Sequence, residues 1–267
     1  MNDCQHELAC VEPTFIININ KPCSYFMKIN RFIFTSIVLS FVAGYADTST
    51  FVGADELFSS HVTGNFVMLA YDIVTNHVAG SWKKLIAFPI FILAVFISTM
   101  MMDLFDDEKK VVNWFIAAEG ILLITAGLIS RFNRHNNLDF LPEVLTPMLI
   151  VFAMGLQNAC GRFFAKEVLA PTTVMTGNTT QFIIDLTGYL RNKDQEKQNL
   201  KLKIVHILYV ILPFLAGCIS GGLITKKIGL GSVVFIVLLT LTLARKQKST
   251  RSYCFDVRIP IALCGEI

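Results

Sequence analysis

Two short polar words recur in this chain at matched places. Asn65 and Asn178 each close a Thr-Gly-Asn triplet, Thr63-Gly64-Asn65 and Thr176-Gly177-Asn178, and each is followed seven residues later by an aspartate, Asp72 and Asp185. Seven residues are two helical turns, so asparagine and aspartate share one helix face in both copies. An amide both donates and accepts, while an ionised carboxylate only accepts; together they suit a small polar solute, a proton or a hard cation. A third matched pair lies upstream, Asp47 in Gly44-Tyr45-Ala46-Asp47 and Gln157-Asn158 in Gly155-Leu156-Gln157-Asn158. One member is charged and the other neutral, so a site shared by both would hold one titratable carboxylate at that level. The plainer alternatives are that the aspartates sit near lipid headgroups, that the asparagines bond helix to helix, and that Asp47 and Asn158 merely end their helices.

The elements that would position these residues are themselves duplicated. Gly44 and Gly155 are 111 residues apart, Asn65 and Asn178 are 113 apart, and Pro89 in Phe88-Pro89-Ile90 and Pro213 in Leu212-Pro213-Phe214 are 124 apart. The order is kept and the largest jump coincides with the charged loop Arg191 to Lys203, as expected for a duplication with one insertion. The expected organisation is therefore a tail over 1–30, a first membrane repeat over 31–131, a second over 144–244 and a tail over 245–267.

The setting is a membrane. Of 267 residues, 54% are hydrophobic and 16% charged, well short of the quarter that a water-facing domain carries. The mean hydropathy is +0.58. Apolar blocks over about 32–51, 62–78, 85–102, 111–130, 144–164, 174–190, 204–225 and 228–244 predict an all-α, multi-pass helical protein. Lysines and arginines fix its orientation. With eight crossings and a cytosolic N-terminus, 17 basic residues fall inside and 6 outside; if the two Thr-Gly-Asn blocks enter and leave on one side, leaving six crossings, the division is again 17 and 6. Both counts predict cytosolic termini and neither separates parallel from inverted repeats. The shortness of the two Thr-Gly-Asn blocks favours six full spans plus two short segments over eight spans. Gly64 and Gly177 would permit a non-helical start, Thr63 or Thr176 would cap it, and Pro171 favours a break before the second copy.

Other classes of function find little support. The seven cysteines are odd in number, five lie in the tails, and none forms a Cys-x-x-Cys, so neither disulfide framework nor zinc site is expected. No activated nucleophile or acid/base dyad suggests an enzyme, no cofactor or metal is implied, and no basic stripe suggests nucleic acid. The first thirty residues lack the pattern of a signal peptide. Arg162 and Lys166 read as boundary residues that snorkel, His61 as a loop histidine beside the first motif whose alternative role is a proton-linked switch, and Glu119 as a mid-block acid expected to face protein.

These motifs resemble those of the YoaK-like family of bacterial inner-membrane proteins, a domain of unknown function. The resemblance rests on Gly44 to Asp47, Thr63 to Asn65, Gly155 to Asn158 and Val174-Met175-Thr176-Gly177-Asn178, and spans roughly Phe32 to Ala244. It implies an inner-membrane location and about six spans but no activity. From the residues themselves the expectation is a transporter of a small solute or ion, its site between the two Thr-Gly-Asn segments and drawn from Asp47, Thr63, Gly64, Asn65, Asp72, Gln157, Asn158, Thr176, Gly177, Asn178 and Asp185. Its partners would be the bilayer, the solute and, in an oligomer, a second copy. The alternative is a scaffold in which the same residues serve packing.

Overall fold

The computed structural model describes residues 22–76, 80–104, 108–136, 140–163, 172–191, 197–237 and 240. Among these are seven α-helices: α1 (Pro22–Gly53), α2 (Gly64–Thr75), α3 (Ser81–Leu104), α4 (Glu108–Asn136), α5 (Phe140–Phe163), α6 (Met175–Arg191) and α7 (Lys197–Ile228). A 3-10 turn over Leu230–Val233 leads into a further helical stretch at 234–237. α1 begins inside the segment expected to be a tail. Four helical stretches, within α3, α4, α5 and α7, are long and apolar enough to cross a membrane. α2 is not, since its 12 residues reach only about 18 Å at 1.5 Å per residue.

Glycine sets the closest packing. A Cβ on Gly44 would stand 2.2 Å from the carbonyl oxygen of Phe214, and one on Gly217 would stand 2.2 Å from that of Phe41. α1 and α7 therefore touch backbone to backbone, as small residues allow between membrane helices. Gly221 lies against Tyr45 and Gly53 against Thr225, so positions rise together along both helices and the two run parallel. α3 and α5 make a corresponding pair. Gly155 of α5 meets Phe91 and Ala94 of α3, while Lys83 at the start of α3 bonds Glu143 near the start of α5 at 2.5 Å, so these also run parallel. In each pair the close approach comes within five residues after a proline inside the helix, Pro213 in α7 and Pro89 in α3, where a missing N–H loosens the ladder.

Two further relations fix directions. Lys83 also bonds Asp55, just past the end of α1, at 2.7 Å, so α3 starts at the end of the bundle where α1 stops. Gly120 of α4 faces Val237 and Thr240, while Gly127 faces Val233 and Val234, so α4 runs antiparallel to the last helical stretch. Val42 of α1 and Ala153 and Met154 of α5 are fully buried in one apolar core. Large apolar side chains such as Val67, Phe96, Ile184 and Ile219 are exposed on α2, α3, α6 and α7. An apolar rim of that kind belongs against acyl chains.

Candidate functional site: two buried elbows

After α1 ends, the chain turns back into the bundle, and Asp47 holds it there. Asp47 Oδ1 accepts from the backbone N–H of Ser60 at 2.7 Å and of His61 at 3.3 Å, and its Oδ2 lies 2.7 Å from His61 Nδ1. Asp47 is six residues before the helix end, so the returning segment is anchored about 9 Å inside it. Asn65 closes the same elbow. Its Oδ1 accepts from Phe58 N–H at 2.8 Å and its Nδ2 donates to Phe58 O at 2.9 Å, so the amide pairs with the backbone as a neighbouring strand would. A buried backbone group needs such a partner where no water reaches it.

The second elbow, between α5 and α6, is held from the matching places. Asn158 Oδ1 accepts a bond from the Thr173 hydroxyl, and Gln157 Nε2 donates to Leu39 O of α1 at 2.8 Å and to Thr172 Oγ1 at 3.3 Å. Asn158 stands 111 residues after Asp47, and Thr173 stands 113 after Ser60. The second anchor carries no charge and no histidine, because Val174 occupies the place that follows Thr173.

The aspartates of the two copies differ. Asp72 Oδ2 accepts from Ser81 Oγ at 2.8 Å and Lys84 Nζ at 2.5 Å, joining the end of α2 to the start of α3. Acid and lysine are 5% and 3% exposed, so the pair is buried and mutually neutralised. Asp185 receives Gln181 Nε2 on Oδ1 at 2.9 Å, while its Oδ2 is buried without a partner. Glu119 is 2% exposed and its Oε1 likewise lacks a partner, so it faces protein as expected.

Several expectations need correcting. Thr63 makes no capping bond and has helical dihedrals; the start of α2 is instead formed by tight turn bonds, Gly64 N–H to His61 O and Asn65 N–H to Val62 O. Thr63 and Thr176 are exposed. Gly64 and Gly177 lie inside helical turns and neither has positive φ. What Gly64 supplies is room, since its Cβ would come 3.1 Å from the Phe58 ring. α2 packs on α3, and α6 on α7, and among the described residues no comparable packing joins α2 to α6. Asn65 and Asn178 are both buried, each at the root of its own elbow. An open groove of about 590 Å³ runs along Met175, Thr176, Thr179, Thr180, Ile183 and Ile184; of the residues singled out from sequence, Thr176 borders it. Pro171 lies outside the described residues.

Sequence reasoning undervalued Lys83, Lys84 and Ser81. Two lysines heading an apolar block read as a topological marker, yet an acid twelve residues earlier, on a segment too short to span, was a signal that one of them had a partner. Asp55 and Glu56 also passed unremarked. Both adopt left-handed dihedrals, φ 54° and 60°, which cost a non-glycine residue about 1–2 kcal/mol. Lys83 lies 2.7 Å from Asp55 and Lys84 lies 4.0 Å from Glu56.

A bundle with glycine-mediated helix contacts, an apolar rim and irregular backbone buried within it is an integral helical membrane protein. The chain belongs to the DUF1275 family of proteins of unknown function, whose profile matches residues 35–245. It is similar to the UPF0700 transmembrane protein YoaK of Bacillus subtilis (strain 168), at 25% identity over 177 residues, covering 66% of this chain and 76% of that protein. No solved structure matches the chain.

Proposed function

We propose that the chain is a transporter of a small solute or ion in the bacterial inner membrane, built from two inverted halves. It crosses six times, with α2 and α6 as re-entrant segments on opposite faces and both termini cytosolic. The observation that carries this reading is the pair of elbows. Non-helical backbone at membrane depth is tolerated only where it is buried in protein or lines a water-filled path, and interrupted segments at corresponding points of two halves mark transporter sites. The exchanged packing supports the inversion: α1 lies along α7, and α3 along α5, which is what a two-fold axis in the membrane plane would generate from one half. The site we assign is formed by the elbows and their anchors, Asp47 with His61 on one side and Gln157 and Asn158 on the other. Asn65, whose amide is spent on Phe58, shapes that wall rather than meeting the solute.

Two measurements test it. Cysteines placed singly at Glu56 and Asn76, before and after α2, are labelled from the same side if α2 is re-entrant; labelling from opposite sides would overturn the topology. Purified protein in proteoliposomes should carry flux of at least one member of a panel of inorganic ions and small polar solutes, reduced by Asp47→Asn. No flux across the panel, with the protein folded, would favour the second reading, a membrane scaffold. The commitment of Asn65 to its own loop is the observation on that side.

A further inference from the structure

The two elbows share a design, but among the described residues only the first is anchored by groups that can respond to acid. We propose that Asp47 and His61 form a proton-binding latch on the α1–α2 elbow, whose occupancy sets how firmly that elbow is held against α7. The inference does not depend on transport.

The geometry carries it. The Asp47 carboxylate is nearly buried while the His61 side chain is 35% exposed, so the pair has a closed side and an open one. Nδ1 faces the carboxylate at 2.7 Å and donates its proton there, which fixes the tautomer and leaves Nε2 as the free base. A proton arriving from the open side is taken by Nε2. The ring then carries a full positive charge against Asp47, and a neutral-to-charged hydrogen bond becomes an ion pair, shorter and stronger. The same carboxylate holds the N–H groups of Ser60 and His61, so the charge state of the ring bears on backbone that Asp47 already grips.

The ring also reaches across the bundle. Its edge meets Phe214, with centroids 5.6 Å apart and planes at 74°. Phe214 directly follows the proline inside α7, and its carbonyl is the atom that Gly44 of α1 approaches most closely. One imidazole thus touches the anchor of its own elbow and the residue after the proline of α7. Other titratable groups near the pair are few. Beyond α1, Asp55 and Glu56 are turned to Lys83 and Lys84, and Asp72 of α2 is held by Lys84. From α7, Cys218 lies within electrostatic reach of Asp47.

In the other elbow the matching places hold Asn158, Thr173 and Val174, none of which titrates near neutrality. It therefore serves as an internal control.

Hydrogen exchange on the full chain in lipid nanodiscs, read by mass spectrometry between about pH 5.5 and 8.5 and corrected for intrinsic exchange, tests the latch. The peptide covering Phe58 to Asn65 should lose protection several-fold toward high pH, while the peptide covering Thr172 to Asn178 should show no step. His61→Gln should abolish the step. If both elbows change alike, if the first follows intrinsic exchange alone, or if His61→Gln keeps the step, the latch is refuted. A second readout needs no substitution. Nitrogen NMR of histidine-labelled protein should show one imidazole protonated at Nδ1 that titrates above the ordinary histidine range, and absence of that signal would also overturn the proposal.

Discussion

Lys84 Nζ lies 2.5 Å from Asp72 Oδ2, both side chains are buried, and the bond closes the return of the α2 segment onto α3. Breaking a buried pair by removing one member leaves a charge with neither water nor counter-ion, at a cost of about 3–5 kcal/mol. Lys84→Met should lower stability by that amount in denaturant titration of detergent-solubilised protein, and the double change with Asp72→Leu should recover most of it. Lys83→Met should cost less, about 1 kcal/mol or below, because its partners Asp55 and Glu143 are 45% and 62% exposed.

The α1–α7 contact leaves no room for a methyl group. Gly44→Ala places a carbon 2.2 Å from a backbone carbonyl oxygen that cannot swing aside. The helices must separate, and the expected loss is about 1–3 kcal/mol or more, seen as a lower melting temperature. Gly161, with nothing near its Cβ position, should tolerate alanine.

Asn65 meets both polar groups of Phe58. Asn65→Ala leaves the part-buried N–H and C=O of Phe58 without these bonds, for a loss of about 1–3 kcal/mol. Folded yield and melting temperature should fall together, and a variant with unchanged stability would show that the amide does not hold the elbow.

The pH dependence of the first elbow has a definite sign. The hydrogen bond from His61 to Asp47 holds the imidazole above its ordinary range, against burial, which pulls it down, and the Asp47 charge adds to the upward effect. A group whose folded value is raised contributes fully below its unfolded pKa, about 6.5 for histidine, and loses the contribution as pH climbs through the raised folded value. Wild-type stability should therefore show a component that falls as pH rises above the ordinary histidine range, and that His61→Gln lacks. Melting curves at constant ionic strength across that window would reveal it.

Glu119 is buried with an unpartnered oxygen in the middle of α4. Its Oε1 has no partner to lose, so Glu119→Leu should leave stability unchanged or raise it by about 1–3 kcal/mol. If that variant folds well but any flux disappears, the acid is retained for function. Marked destabilisation would instead show that Glu119 has a structural partner.

Much of this architecture was legible in the chain as written. The length of its apolar blocks demanded helices in lipid, because runs of about 17 to 22 apolar residues match a helical span and a helix satisfies its backbone groups within its own segment. The repeated Gly, Asn, Asp and Pro set Asp47 in register with Asn158, but from sequence these read as cavity-facing or helix-ending residues, and their hold on the chain that follows each helix emerged only in the fold. The sequence also marked Asn65 and Asp72 as residues that need partners, since an amide or carboxylate in an apolar segment is costly alone. Which partners they take was decided only by the tertiary structure. Phe58 for Asn65, Lys84 for Asp72 and His61 with Ser60 for Asp47 are set by where the chain turns back, and that turn depends on packing between helices far apart in sequence. Periodicity reports which face of a helix is apolar, but not which helix lies across from it. The parallel pairing of α1 with α7 comes from backbones approaching at Gly44 and Gly217, a condition satisfied jointly by two segments that neither one expresses by itself.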